Sequence, residues 1–389
     1  MALYSLNKKN IKNILFVSFT GILFVLFGRP YFTWQNALPG YALIIMSFIL
    51  VSKGIESRYR TSAIILVFVL LFRIARGDFS VSSLLSIFLV LVLLSNNNRK
   101  LSIIHNVKIV YAIVIGLSLV VYLCVVFLGI EIKSEVIDPW NDSKYYQYSQ
   151  FPLLVVPYEI KDLLAKFRFF GIFEEPGNVA TIATTFLIAD KYNLKDWKNI
   201  IIFISGVFTF SMFFYVISGL YLFFYGNRKM VLYSIVTGFV LLIGISKIGD
   251  TGFSVQDIIE SRFSHHEGAF VGDNRSNEIF DRAFSDMLLS EDVILGRGIG
   301  AHNAIAPGIQ TYKMIIYDEG ILIFFMELLV FIVYFFSTPF LSKNYKILIS
   351  LYFLMFYYQR PTFIYDYATF FLLVSLPVAL SRKSYLMKY

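Results

Sequence analysis

Apolar runs follow one another along almost the whole chain. Two of them, LYLFFYG over 220–226 and LLVFIVYFF over 328–336, contain no charge. About 20 apolar residues suffice to cross the hydrocarbon of a bilayer, and no single soluble core could hide all of these runs. Composition agrees. Of 389 residues, 57% are hydrophobic and 15% charged, against roughly 25% charged in soluble domains. The reading is a polytopic, all-α integral membrane protein forming one transmembrane domain over 1–389.

With shorter runs tolerated where flanking residues snorkel, about twelve spans emerge. They cover 12–28, 38–52, 61–77, 79–95, 108–130, 177–190, 199–211, 212–226, 230–247, 318–341, 345–359 and 364–381. The pair 199–211 and 212–226 also reads as one long span plus a re-entrant turn. Lys8, Lys9 and Lys12 precede the first run, but no small-x-small cleavage site follows it, so it is expected to be an uncleaved span. Cys124 is the one cysteine and lies within an apolar run, where it serves as a small apolar residue.

Charge orients these spans. With the N-terminus inside, Lys53, Arg58, Arg60, Arg99, Lys100, Lys108, Lys191, Lys195, Lys198, Arg228, Lys229, Lys343, Lys346, Arg382, Lys383 and Lys388 all fall inside. The short outer loops keep Arg29, Arg73, Arg76 and Arg360. That is the positive-inside bias, and adding or removing one mid-chain span would destroy it. The net charge of +8 is therefore an orientation signal, and nucleic acid is not expected as a partner. Both termini are expected in the cytoplasm, and two long loops, 131–176 and 248–317, are expected outside.

Chemistry is sought in those loops. The first ends RFFGIFEEPGN, from Arg168 to Asn178. Pro176 near the start of a helix, with Glu174 and Glu175 beside its N-terminus, is accounted for by helix chemistry. Arg168 and Gly171 are not. In the second loop, 277–290 reads as an amphipathic helix with Ile279, Ala283, Phe284, Met287 and Leu288 on one face. Arg282 has Glu278 and Asp286 four residues away, so a surface ion pair is an adequate role for it. Arg275 has no such neighbour inside the helix. Gly296, Gly298 and Gly300 lead to His302-Asn303, in a spacing that is not a dinucleotide fingerprint. His265-His266 lacks metal-ligand spacing, and no metal or cofactor is expected. Asp318-Glu319-Gly320 repeats the pattern of acids at the outer mouth of a span.

The combination resembles the O-antigen polymerase family (Wzy-type), within the O-antigen ligase and polymerase superfamily. The resemblance lies in Arg168-x-x-Gly171-x-x-x-Glu175-Pro176 before a span and in the arginine-bearing second loop. Gly296-x-Gly298-x-Gly300-x-His302-Asn303 and Glu319-Gly320-Ile321 complete it. One departure is Phe210-Ser211-Met212, where many relatives carry a Ser-Arg-Gly-like run. The resemblance implies a GT-C-like membrane glycosyltransferase of the bacterial inner membrane. It would join oligosaccharide units carried on undecaprenyl pyrophosphate at the periplasmic face, alongside a chain-length regulator and a flippase.

In that reading Arg168 and Arg275, with Arg282 as a third, neutralise the leaving pyrophosphate. Glu175 or His302 accepts the acceptor hydroxyl's proton. Gly171, Glu174, Pro176, Gly298, Gly300, Asn303 and Glu319 support them. Fixed arginines would let such an enzyme dispense with Mg²⁺. An O-antigen ligase, which transfers finished chains to lipid A core, fits the same residues. A lipid-linked oligosaccharide flippase fits less well, because its charge belongs within the spans.

Overall fold

The computed structural model describes residues 8–34, 36–140, 146–158, 167–225, 276–309, 311–359 and 366–386. They are mostly helical. The helices are α1 (Lys8–Phe27), α2 (Leu38–Val51), α3 (Arg60–Ala75), α4 (Val81–Leu85), α5 (Phe88–Leu94) and α6 (Asn97–Tyr122). There follow α7 (Pro176–Ala189), α8 (Trp197–Phe208), α9 (Met212–Tyr225), α10 (Glu278–Leu288), α11 (Tyr312–Ser337), α12 (Lys343–Gln359) and α13 (Tyr367–Leu386). Two helices are long and apolar enough to cross a membrane, Asn97–Phe127 and Tyr312–Ser337. The expected span over 230–247 lies outside the described residues.

Three boundaries differ from the sequence reading, and a fourth, within 199–226, falls where the expected pair of spans puts it. The run 79–95 is split between α4 and α5 near Ser86, whose side chain hydrogen-bonds Tyr367. α6 starts eleven residues before 108. Its first turns, NNRKLSIIHNV, are too polar for a hydropathy count, but Asn96 caps them through Asn98 N at 2.9 Å and Lys100 and Lys108 are buried with oxygen partners. The 199–226 stretch is two helices. The chain turns at Phe210, which holds a positive φ of 49°, and Tyr215 on α9 donates back to the Val207 carbonyl at 2.7 Å. Finally, α11 begins at Tyr312, so Asp318 and Glu319 lie inside a helix rather than at its mouth.

The expected all-α chain also carries a small sheet. In the first long loop, β1 (Glu135–Ile137), β2 (Tyr148–Phe151) and β3 (Leu154–Pro157) form an antiparallel sheet in the order β1-β2-β3. Alternation over YSQF and LVVP is too short to register against longer apolar runs. Tyr148 and Val155 face inward onto Trp34 and Phe170.

Aromatic rings, 18% of the chain, knit the helices together. Phe24 of α1 meets Phe186 of α7 at 6.2 Å and Phe371 of α13 at 5.9 Å, and Phe331 of α11 stacks on Phe353 of α12 at 4.8 Å. The helix directions sort the charged groups to two ends. Arg58, Lys100, Lys108, Asp190 and Asp196 lie at one end. Arg29, Arg73, Arg76, Arg168, Glu175, His302 and Glu319 lie at the other: with flanking residues included, α3 runs from Arg58 to Arg73, α7 from Glu175 to Asp190, and α8 from Asp196 to Thr209, whose carbonyl holds Arg168.

Candidate functional site

The site at the second end is built around a break in α11. Gly320 sits inside this helix with φ 83° and ψ 166°, so two helical pieces meet there. Such a break strands the carbonyls of the preceding turn. The loop 294–298 satisfies them. Arg297 N donates to the Tyr317 carbonyl and Gly298 N to the Asp318 carbonyl, each at 2.9 Å, and Leu322 N reaches the Ile294 carbonyl at 3.3 Å. The two backbones approach so closely that a Cβ on Gly320 would collide with the Ile294 carbonyl, and one on Gly296 with the Asp318 carbonyl.

The break aims two consecutive acids in different directions. Asp318 takes the 300–302 turn. Its carboxylate accepts from Gly300 N at 2.9 Å, from His302 N at 2.9 Å and from His302 Nδ1 at 2.6 Å. A carboxylate only accepts, so Nδ1 carries a proton, and in the neutral imidazole Nε2 is the acceptor nitrogen. Gly298 and Gly300 hold positive φ of 112° and 81° in this turn, and Asn303 N donates to the Gly300 carbonyl at 3.0 Å. His302 is buried but for its edge.

Glu319 turns toward α3, where its Oε1 pairs with Arg73. Oε2 is buried without a hydrogen-bond partner among the described residues. Arg73 also reaches Asp78 at 3.4 Å, and Arg76 donates to the Gly296 carbonyl at 2.8 Å. Burial pushes the Asp78 carboxyl up, but hydrogen bonds from Ser83 and Ser80 and the Arg73 charge outweigh it and hold it below the ordinary range. Arg297 bridges Asp292 at 3.1 Å and the Tyr317 hydroxyl at 2.8 Å. Further along α11, Glu327 is buried and accepts from the Tyr357 hydroxyl.

The RFFGIFEEPGN stretch forms the neighbouring wall. Pro176 opens α7 and Glu175 precedes it in extended conformation without capping it. Gly171, at φ 58°, accepts from Val155 N at 2.9 Å through its carbonyl, which ties it to the sheet, and a Cβ there would press on Ile115 at 2.7 Å. Arg168 Nε donates to the Thr209 carbonyl at 2.9 Å, and Glu174 is buried, its carbonyl accepting from the Tyr148 hydroxyl at 2.8 Å. Both walls share one end of the molecule. Tyr31 N binds the Ile172 carbonyl at 2.9 Å, Phe27 packs on Tyr367 at 6.4 Å, and Tyr367 reaches Ser86, close to the Asp78 cluster.

Two sequence candidates stand apart. Arg275, with His265 and His266, lies outside the described residues. Arg282 is on the open face of α10, 3.5 Å from Glu278, with both side chains more than 80% exposed. The buried stripe of α10 is Phe280, Phe284 and Met287 rather than the expected face, and Ile279 and Leu288 are exposed. Phe280 packs on Tyr317 at 5.4 Å, which selects the i, i+4, i+7 row nearest α11.

Sequence reasoning passed over Arg73, Arg76, Asp78, Arg297 and Glu327, and it noted Asp318 without a role. The signal for Arg73 and Arg76 was their breach of the positive-inside pattern, and for Glu327 it was a lone acid in an apolar run. Among the described residues, no group of three histidine, cysteine or carboxylate side chains is placed to share a metal ion. No protein-family model matches this chain, and neither does any characterised protein or solved structure.

Proposed function

We propose that the chain is a multi-pass protein of the bacterial inner membrane, with cytoplasmic termini, and that it polymerises oligosaccharide units carried on undecaprenyl pyrophosphate. The observation that carries this reading is the His302–Asp318 pair, set one residue from a buried Glu319 held by Arg73, at the arginine-bearing end of an apolar bundle. This supplies a base oriented by a carboxylate, with fixed cations close by.

The reaction follows from that arrangement. The acceptor sugar hydroxyl attacks the anomeric carbon of the donor and gives its proton to His302 Nε2. The anomeric C–O bond breaks and its electrons go to the lipid pyrophosphate. Asp318 stabilises the imidazolium that results, in the way that a buried carboxylate supports a catalytic histidine elsewhere. Arginines at this end, Arg168 and Arg73 among them, would offset the charge gathering on the leaving group. Arg275 keeps its proposed place on the pyrophosphate from the sequence motif alone. A single displacement of this kind inverts the anomeric centre.

Deleting the gene and running lipopolysaccharide on a gel tests the reading. A lost polymerase leaves core bearing one repeat unit. Bare core would instead indicate a ligase or a flippase, and unchanged long chains would overturn the assignment.

A further inference from the structure

At the end of α1 the chain makes a fixed turn that carries one arginine outward. Arg29 holds a positive φ of 50°, a conformation uncommon for a residue with a side chain. The turn is pinned from both sides. Arg29 N donates to the Leu26 carbonyl at 3.2 Å, and the Arg29 carbonyl accepts from Trp34 Nε1 at 3.1 Å. Trp34 is itself buried against Tyr148 and Phe170 beneath the sheet. Backbone strain here is held by a packed indole, so the position of the side chain is set by the fold.

The guanidinium stacks over Trp140, 4.3 Å from the ring centroid. Stacking occupies the face of the guanidinium and leaves its in-plane N–H donors pointing outward. Among the described residues these donors meet no carboxylate and no carbonyl. The neighbouring arginines all do: Arg73 on Glu319, Arg76 on Gly296, Arg168 on Thr209 and Arg297 on Asp292. Arg29 is half-buried, no acid among the described residues balances it, and it lies at the end of an apolar helix where a lipid headgroup meets protein.

We propose that the Arg29 guanidinium, stacked on Trp140 and fixed by Trp34, is a phosphate-binding group that takes an oxyanion of a membrane-borne phosphate. A planar fork with free N–H donors suits phosphate oxygens. Two sources carry that chemistry, a polyprenyl pyrophosphate and an anionic phospholipid headgroup. The pyrophosphate follows if the proposed function holds, and the proposal rests on that reading for the choice of source alone.

Purified full-length protein in phosphatidylcholine nanodiscs is titrated with undecaprenyl pyrophosphate and, separately, with phosphatidylglycerol, and binding is read by native mass spectrometry. Arg29→Lys keeps the charge but loses the fork, and is expected to weaken pyrophosphate binding about tenfold, the scale of one charged hydrogen bond. Trp140→Leu removes only the stack and is expected to weaken it about threefold. Arg58→Gln removes a charge from an exposed ion pair at the other end and leaves binding unchanged.

Equal Arg29-dependent loss for both lipids would support the phosphate site and assign it to headgroups in general. Wild-type affinity in monodisperse Arg29→Lys and Arg29→Gln proteins would overturn it. Binding is measured without polymerisation, so the two readings fail separately. A deletion strain with normal polysaccharide removes the proposed function and leaves an Arg29 effect on binding intact.

Discussion

The two ends of the helical bundle treat buried charge in opposite ways. At one end Lys108 has three donors and three acceptors: Asp190, Asp196 at 2.9 Å and Asn199 at 3.2 Å. Lys100 is fully buried and donates to the Leu93 carbonyl at 2.7 Å and the Tyr334 hydroxyl at 3.0 Å, with the Tyr59 ring 4.8 Å away. Each ammonium there has its protein partners. At the other end the cations around Glu319 and the Gly296 loop are arginines, and the set is incomplete. Among the described residues, Glu319 Oε2 is buried without a hydrogen-bond partner and Arg29 faces no acid. Buried polar groups are ordinarily satisfied. The lysines at the first end hold helices together, and on the proposed function the open groups at the second are where substrate is received.

Changing the acid–base pair should separate the ends most sharply. His302→Ala and Asp318→Asn are expected to slow polymerisation by about 10²- to 10⁴-fold, the usual worth of a positioned acid–base group. Asp190→Asn, at the other end, should leave the rate within about twofold, since a partly exposed partner contributes little. The comparison breaks if Asp190→Asn slows polymerisation by the purified protein as much as Asp318→Asn does.

Stability gives the next contrast. Glu319→Gln removes the negative charge of a buried pair with Arg73. Such a loss costs about 3–5 kcal/mol, visible as a lower midpoint in detergent. Lys108→Ala leaves Asp190 and Asp196 behind, 39% and 22% exposed, and water can reach both. Its expected loss is smaller, about 1–3 kcal/mol. Equal losses would mean that the two ends are equally sealed.

Much of this division was legible in the sequence, because the rule that sorts lysine and arginine between short loops is read directly from residue order. The apolar runs located α2, α3, α7 and α12 to within a few residues. The motifs singled out His302 and Glu319. Side-chain partnerships were not legible. Asp318 and His302 are sixteen residues apart and meet because Gly320 breaks α11 and the 294–298 loop fills the gap, which no periodicity records. Arg73 lies 246 residues from Glu319. The sheet escaped because its strands are three or four residues long, and the buried stripe of α10 because Ile279 and Leu288 are apolar yet exposed.

Acid titration distinguishes the ends more gently. Burial alone would raise the Asp196 carboxyl, but hydrogen bonds from Lys198 and Lys108 and the Lys198 backbone N–H bring it down to about 2. A depressed carboxyl contributes stability that is present above the unfolded value of 3.8 and is lost as pH falls toward 2. With Asp196 partly exposed, about 1 kcal/mol should disappear between about pH 4 and pH 2. Thermal midpoints across that window should lose this slope in Asp196→Asn. An unchanged slope would remove Asp196 from the lysine lock.

The smallest effect is expected at Arg282, and it tests where the open end stops. The family resemblance offers Arg282 as a third arginine for pyrophosphate, whereas the structure gives it an i, i+4 pair with Glu278 on a face exposed to solvent. An exposed helix pair is worth about 0.3–0.5 kcal/mol, so Arg282→Ala should move the thermal midpoint barely at all. Lysine would keep the pair and lose only the planar fork. If Arg282 does no more than pair with Glu278, Arg282→Lys and Arg282→Ala should both leave polysaccharide length and the rate of the purified enzyme within about twofold. A tenfold loss in Arg282→Lys, with midpoint and abundance unchanged, would require α10 to turn this face toward the substrate.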